Sequence, residues 1–259
     1  MSLSVVVVHP DLLGTYGDGG NGMVLVQRAR WRGIDAQLLE ARSDAPLPTG
    51  DLYCLGGGED AAQTASAARL RADGVLAKAV ERGVPVLAVC AGYQVVGRTF
   101  SAADGRPLPG VGLLDVTTEK GAGRRAVGEV LAEPLAGTLG LLSGFENHGG
   151  LTARGPGAAP LARVEAGVGN GDGTEGAVCG RVVGTYLHGP VLARNPSLAD
   201  LLLSWATDRT LDPLDDAEVS ALREERIAAV RAPRVGGRRV LRAVRAYAGR
   251  RERYARGSS

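Results

Sequence analysis

Apolar runs separated by glycine-rich turns set the pattern along the chain. "LSVVVVH" near the N-terminus is a continuous β-branched run, as expected of a strand buried on both faces. "DAQLLEA", "DLYCLGGG" and "VPVLAVC" are further short apolar runs bounded by turn residues, and each predicts a strand. Between them, "MVLVQRARWRG" has apolar residues at helical spacing up to Gly33, and "EDAAQTASAARLRADGVLAKAVERG" predicts one long helix with an acidic first turn. Strands alternating with helices predict an α/β fold, with a mostly parallel sheet covered by helices on both faces.

From about residue 101 to 185 the turns crowd together and the runs shorten, as in "VGLLDVTTE", "RRAVGEVLAE" and "GAVCGRVVGTYLHGP", which predicts an antiparallel extension. "NPSLADLLLSWATDR" and "DPLDDAEVSALREERIAAVRA" then predict two helices. No internal repeat is evident. The expected organisation is one domain over residues 1–205 followed by a helical, arginine-rich extension over 206–259.

Composition sharpens this only in places. At 259 residues the chain is long enough for one large domain and an appendage. The net charge of +2 hides an asymmetry: residues 223–259 carry twelve arginines against three glutamates, a net of +9 that leaves −7 for the first 222 residues. Such a tail suits an anionic lipid surface, nucleic acid or an acidic partner face, or it is a solvated end. The three cysteines have no metal-ligand spacing and suggest no disulfide framework. "MSLSVVVVHP" lacks the basic flank of a signal peptide, and nowhere do about 18 apolar residues run uninterrupted, so a cytoplasmic location is expected.

Cys90 follows "VPVLAV" and precedes Ala91 and Gly92. A strand-to-helix turn needs such small neighbours, exposes its central side chain at the carboxyl end of the sheet, and sets a thiol in the field of a helix N-terminus. A buried structural cysteine is the competing reading. A cysteine nucleophile needs a base, and the chain has only His9, His148 and His188. His188, at the end of the apolar run "VVGTYL", is where a base on a neighbouring strand would sit; His148 in "GFENHGG" could border the same cleft, and His9 ends the first strand. Each could instead be a hydrogen-bonded structural histidine. The glycines of "LGGGED" could turn backbone N–H groups toward a developing oxyanion, or form only a turn into a helix.

Taken in order, "LGGGED", "VCAGYQ" and "GTYLHGP" resemble the class I glutamine amidotransferases of the cobyric acid synthase type. Within that group, "GTYGDGGN", "GFENHGG" and "GTYLHGPVLARNP" are most similar to the glutaminase subunits of lipid II isoglutaminyl synthases. The resemblance covers about residues 3–205 and implies a flavodoxin-like sheet. It implies that Cys90 attacks the side-chain amide of L-glutamine and His188 shuttles the proton. Ala91 and Gly57 or Gly58 would hold the oxyanion, Gln94 would contact glutamine, and Arg125, rather than Arg124, would pair with the substrate carboxylate.

Two features depart from the wider pattern. His188 is followed by Gly189 and Pro190 instead of the Pro and Glu that orient the imidazole in many relatives, so the third triad member is expected from a partner chain, or from Glu146 or another local acid. The chain also lacks a phosphate-binding G-x-x-x-x-G-K-[ST] segment, since "GVGNGDG" has no lysine. Cobyric acid synthase carries its ATP-binding part before the glutaminase, whereas here the glutaminase starts at residue 3. The resemblance thus implies a heterodimer with a separate Mur ligase-like synthetase that binds ATP and Mg and amidates the D-glutamate α-carboxylate of lipid II to D-isoglutamine in peptidoglycan synthesis. No cofactor or metal is expected in this chain, no nucleic acid is expected as partner, and membrane contact is at most peripheral. The competing functions are a glutaminase for another acceptor, such as a corrinoid carboxylate, and a non-catalytic binding module.

Overall fold

In the computed structural model the described residues are 2–135, 137 and 139–232; the arginine-rich sequence from residue 233 onward lies outside them. The chain begins with β1 (Leu3–Val8), α1 (Gly20–Trp31), β2 (Ala36–Ala41), β3 (Leu52–Leu55), α2 (Asp60–Asp73), α3 (Val75–Glu81), β4 (Val86–Val89) and the short α4 (Ala91–Val95). Strands β5 (Thr99–Ser101), β6 (Pro107–Pro109), β7 (Val116–Lys120), β8 (Ala126–Pro134), β9 (Leu142–His148) and β10 (Gly150–Arg154) follow. Then come β11 (Ala162–Ala166), β12 (Thr174–Glu175), β13 (Ala177–Cys179) and β14 (Val182–Thr185), and the helices α5 (Val191–Arg194), α6 (Pro196–Thr207) and α7 (Ala217–Arg231).

The central sheet has the order β13-β14-β4-β3-β1-β2, with every neighbouring pair parallel except the edge strand β13. Its inner strands are the apolar runs of the sequence. All four residues of β4 are fully buried, as are Val5, Val6 and Val8 of β1. Side chains buried on both faces of a parallel sheet each contribute roughly 1.5–3 kcal/mol of transfer free energy, which is why these runs do not alternate with polar residues.

The extension is two separate four-stranded sheets, β10-β7-β5-β6 and β12-β11-β8-β9. The second is antiparallel throughout, but β5 runs parallel to β7 in the first. The long helix expected over residues 59–83 is instead two. Gly74 adopts a left-handed φ of 63°, caps α2 through its N–H to Leu70 O, and starts α3 on a new axis, with the Asp73 carboxylate accepting the Val75 N–H at 2.9 Å.

The described residues after 205 are bonded to the body. Arg28 of α1 has its side chain 4% exposed; its guanidinium donates to Asp200 of α6 at 2.8 Å and to Asp216, ahead of α7, at 2.7 Å. Arg226 and Arg231 of α7 pair with Glu129 and Glu165. Burial works against a charged Arg28, but the two carboxylates more than offset it and raise its pKa above the usual arginine value. Removing one side of a buried ion pair strands the other charges at a cost of about 3–5 kcal/mol, and the partial exposure of both aspartates places this case toward the low end. Arg28→Ala is therefore expected to lower stability by about 3 kcal/mol in urea unfolding, with a smaller loss for Asp216→Asn, which leaves Arg28 paired with Asp200.

Candidate active site

Cys90 terminates β4 with φ 54° and ψ −108°, a backbone that only a tightly held turn maintains in a non-glycine residue. Its N–H donates to Thr185 O of β14 at 2.8 Å, and two residues on the Gly92 N–H donates to Gly56 O at 3.0 Å. A Cβ on Gly92 would lie 2.7 Å from Leu55 Cβ and 3.0 Å from Gly56 O, so only glycine lets α4 pack this closely on β3. The turn lifts Cys90 Sγ above the carboxyl ends of the strands, 4.0 Å from the carbonyl of Asn147.

His188 follows β14, the strand beside β4. Reciprocal backbone hydrogen bonds with Phe145 of β9 fix its main chain, from His188 N–H at 2.8 Å and to His188 O at 3.1 Å. Its Nδ1 bonds to Asp18 Oδ2 at 2.9 Å, its ring lies 4.8 Å from that of Tyr16, and its buried Nε2 has no other partner. Burial alone would lower the His188 pKa, but Asp18 and Cys90 on its two sides raise it to about 9. The ring is oriented through Nδ1, and its Nε2 is left for the thiol.

Asp18 answers the question of the missing acid. It belongs to the "GTYGDGGN" loop between β1 and α1, so the third position is filled within the chain, by neither a partner nor Glu146. Glu146 instead accepts the N–H groups of Val168 and Gly169 and faces His148. The sequence signal for Asp18 was an acid in a glycine-rich loop at the carboxyl end of a strand near β4. Its distance of 170 residues from His188 along the chain hides the pairing from the sequence.

Cys90, Ala91, Gly58, Gln94, Arg125 and His148 line one cleft of about 120 Å³. Ala91 opens α4, where the first N–H groups have no partner within the helix. Gly57, by contrast, does not line the cleft: its N–H donates to Asp18 Oδ2 at 2.9 Å, which corrects its expected oxyanion role. A Cβ there would lie 2.9 Å from His188 Cε1, so this glycine is what lets Asp18 and His188 meet. Gln94 is held on both sides, accepting from Gln63 at 2.8 Å and donating to the Tyr186 hydroxyl at 3.2 Å.

The antiparallel pairing of β8 and β9 sets Ala126 opposite His148 and so brings the preceding Arg125 to the cleft. Arg125 donates through Nε to Asn147 Oδ1 at 2.5 Å and through Nη2 to Asn147 O at 2.8 Å, while Arg124 is outside the lining. His9 is remote in role: its Nδ1 bonds to Ser66 Oγ at 2.8 Å, and burial lowers its pKa.

This arrangement can form and break an acyl–sulfur bond: the thiol and the glycine and alanine N–H groups line the cleft, and His188, which is buried and outside that lining, stands oriented by Asp18. A model of the CobB/CobQ-like glutamine amidotransferase domain matches residues 4–196. The lipid II isoglutaminyl synthase (glutamine-hydrolyzing) subunit GatD of Staphylococcus aureus (strain N315) is 36% identical over 222 residues, covering 84% of this chain and 89% of that protein. The cobyric acid synthase of Pelotomaculum thermopropionicum is 39% identical over 148 residues, 51% of this chain but only 27% of that protein. Among solved structures, a glutamine amidotransferase from Thermotoga maritima shares the fold, with a TM-score of 0.51 at 18% identity, covering 90% of this chain and 100% of the other. With most of its length matched, and with a cysteine, histidine and aspartate gathered where the fold places its chemistry, the chain belongs to the CobB/CobQ-like glutamine amidotransferases.

Proposed function

We propose that this chain is the glutaminase subunit of a two-chain enzyme that amidates lipid II, and that Cys90, His188 and Asp18 carry its chemistry. The observation behind the chemistry is the Cys90 elbow beside an imidazole that Asp18 orients. His188 Nε2 takes the proton of the Cys90 thiol, Sγ attacks the side-chain amide carbon of glutamine as the thiolate, and the oxyanion forms against the N–H groups of Ala91 and Gly58. His188 gives its proton to the departing nitrogen and ammonia leaves. Neutral His188 then takes a proton from water, which hydrolyses the γ-glutamyl thioester to glutamate and frees Cys90. Asp18 positions the imidazole and stabilises its charged form. Arg125 pairs with the α-carboxylate, and Gln94 contacts the substrate.

The lipid II acceptor is supported by the extent of the likeness: the match to a GatD subunit covers 84% of this chain, and the match to a cobyric acid synthase covers 51%. Ammonia then passes to a Mur ligase-like synthetase that uses ATP and Mg to activate the D-glutamate α-carboxylate. Among the described residues no helix is long and apolar enough to cross a membrane, in keeping with a cytoplasmic enzyme that meets its lipid-linked acceptor at the membrane face.

Purified chain combined with the Mur ligase-like protein of the same organism, ATP, Mg, glutamine and lipid II is expected to yield glutamate and an amidated stem peptide by mass spectrometry. Cys90→Ser is expected to cut glutamate release by at least about a hundredfold while added ammonium still supports amidation. Glutamate release without amidation of the stem peptide would leave the glutaminase and overturn the acceptor.

The His188 pKa gives a pH dependence with a definite sign. Protonated His188 is the acid for ammonia departure, so thioester formation is expected to fall as pH rises through about 9. Asp18 favours the charged ring, so Asp18→Asn is expected to move that alkaline limb to lower pH and to reduce kcat roughly a hundredfold. An unchanged limb in the variant would show that Asp18 does not govern His188.

A further inference from the structure

A run of uncharged polar side chains is hydrogen-bonded end to end through the wall of the cleft. Gln63 Nε2 donates to Gln94 Oε1 at 2.8 Å, and Gln94 Nε2 donates to the Tyr186 hydroxyl at 3.2 Å. Thr152 Oγ1 lies 2.7 Å from that hydroxyl and 2.8 Å from Thr118 Oγ1. Because Tyr186 accepts from Gln94, its own proton goes to Thr152, and the Thr152 proton goes on to Thr118. The run therefore has a direction. Its first member, Gln63, is 4% exposed and lines the cleft, and its Oε1 has no hydrogen-bond partner among the described residues. Its last member, Thr118, is 3% exposed, lines the same cleft and has a proton to give. A buried amide oxygen held in place without a partner is a site for an incoming donor.

The charges around the cleft divide in the same sense. Asp60 lines it three residues before Gln63 on α2, so the two share a helix face, and the Asp60 carboxylate has no ion-pair partner among the described residues. At the donor end, Thr118 and Lys120 are two apart on β7 and share a face, and Arg125 lines the cleft with them. Glu119 also lines it, but the strand period sets its side chain on the other face of β7.

We propose that Asp60 and Gln63 form the subsite for the α-ammonium of glutamine, apart from the cationic end that takes its α-carboxylate. The ammonium gives one N–H to Gln63 Oε1 and sets its charge beside Asp60. Glutamine is a zwitterion at Cα, so a cleft with an acceptor and an anion at one end of the run, and a donor and cations at the other, fixes how Cα is turned when the side-chain amide meets Cys90. Glutamine acylated at nitrogen, or joined in a peptide, has no ammonium to offer. The subsite thus restricts the enzyme to the free amino acid. An acid in the first turn of a helix also suits the helix dipole, but that role alone would leave substrate preference untouched.

The inference rests on the glutaminase reading, and its test separates the two. Ammonia release is measured for the full-length chain with its synthetase on L-glutamine and on glutaramate, which keeps the side-chain amide and the carboxylate but has hydrogen in place of the ammonium. No release from L-glutamine by the wild type would overturn the glutaminase reading, and the subsite with it. Given release, the wild type is expected to prefer glutamine by at least about tenfold in kcat/KM. Asp60→Asn is expected to lose about tenfold on glutamine through KM, with a much smaller loss on glutaramate, and Asp60→Glu to keep much of the preference. Gln63→Leu is expected to narrow the preference as well, with some loss on both substrates because Gln94 is released. Asp60 is exposed and outside the hydrogen-bonded run, so its variants do not disturb that wall. A wild type without preference for glutamine, equal losses on both substrates in Asp60→Asn, or no loss in that variant would each overturn the subsite.

Discussion

The structure of the site depends on one buried carboxylate. Asp18 is 2% exposed, its Oδ1 has no partner, and its Oδ2 takes both the His188 imidazole and the Gly57 N–H. A carboxylate removed from water is strongly unfavourable unless an opposite charge compensates it. Here Oδ2 is bonded to His188 Nδ1 at 2.9 Å, and Asp18 and Cys90 together raise the His188 pKa against the effect of burial. Asp18 therefore fixes the orientation of the imidazole and the geometry of the loop that meets it. The same oxygen ties the loop after β1 to the loop after β3 and the segment after β14, three strand ends that are separate in the sequence.

Glycines make this convergence possible, each by a definite contact. At Gly57 a side chain would occupy the space of the His188 ring and of Tyr16; at Gly92 it would strike the backbone of the strand beside the elbow. The elbow holds Cys90 in a left-handed conformation that costs of order 1–3 kcal/mol, which the buried backbone hydrogen bonds to Thr185 and from Gly92 to Gly56 offset. The rigidity of the parallel sheet below is what sustains that strain. The catalytic geometry is thus a property of the β4, β3 and β14 neighbourhood as a unit.

Much of this was legible in the sequence, and the boundary has a physical origin. The buried strands were readable because two-sided burial leaves continuous apolar runs, and Cys90 and His188 were readable because each ends such a run. Arg125, Gln94 and Gly58 were reached through resemblance, and the cleft brings them to Cys90. Asp18 was out of reach because it is 170 residues from its partner, and only the strand order places the two loops side by side. The split at Gly74 was hidden for a different reason. Helical periodicity continues across it, and a single left-handed glycine changes direction without interrupting the apolar pattern. Gly57 shows the converse limit, since "GGG" announces available N–H groups but not which of them a buried carboxylate claims.

A base oriented within its own chain changes what a partner subunit is needed for. Had the acid come from the synthetase, dissociation would remove it and leave His188 free to turn. With Asp18 buried in its own β1–α1 loop, this chain by itself holds the thiol, the imidazole and the acid that orients it. What remains to be coupled is access of glutamine and the fate of ammonia, both of which concern the mouth of the cleft. Tyr16 stands beside the site, its ring against His188 and its hydroxyl 3.4 Å from Arg125 Nη2 and 3.5 Å from Glu59 Oε1. A surface that shifted this loop would act on His188, Asp18 and Arg125 together, because Asp18 belongs to the loop and the other two contact Asp18 or Tyr16.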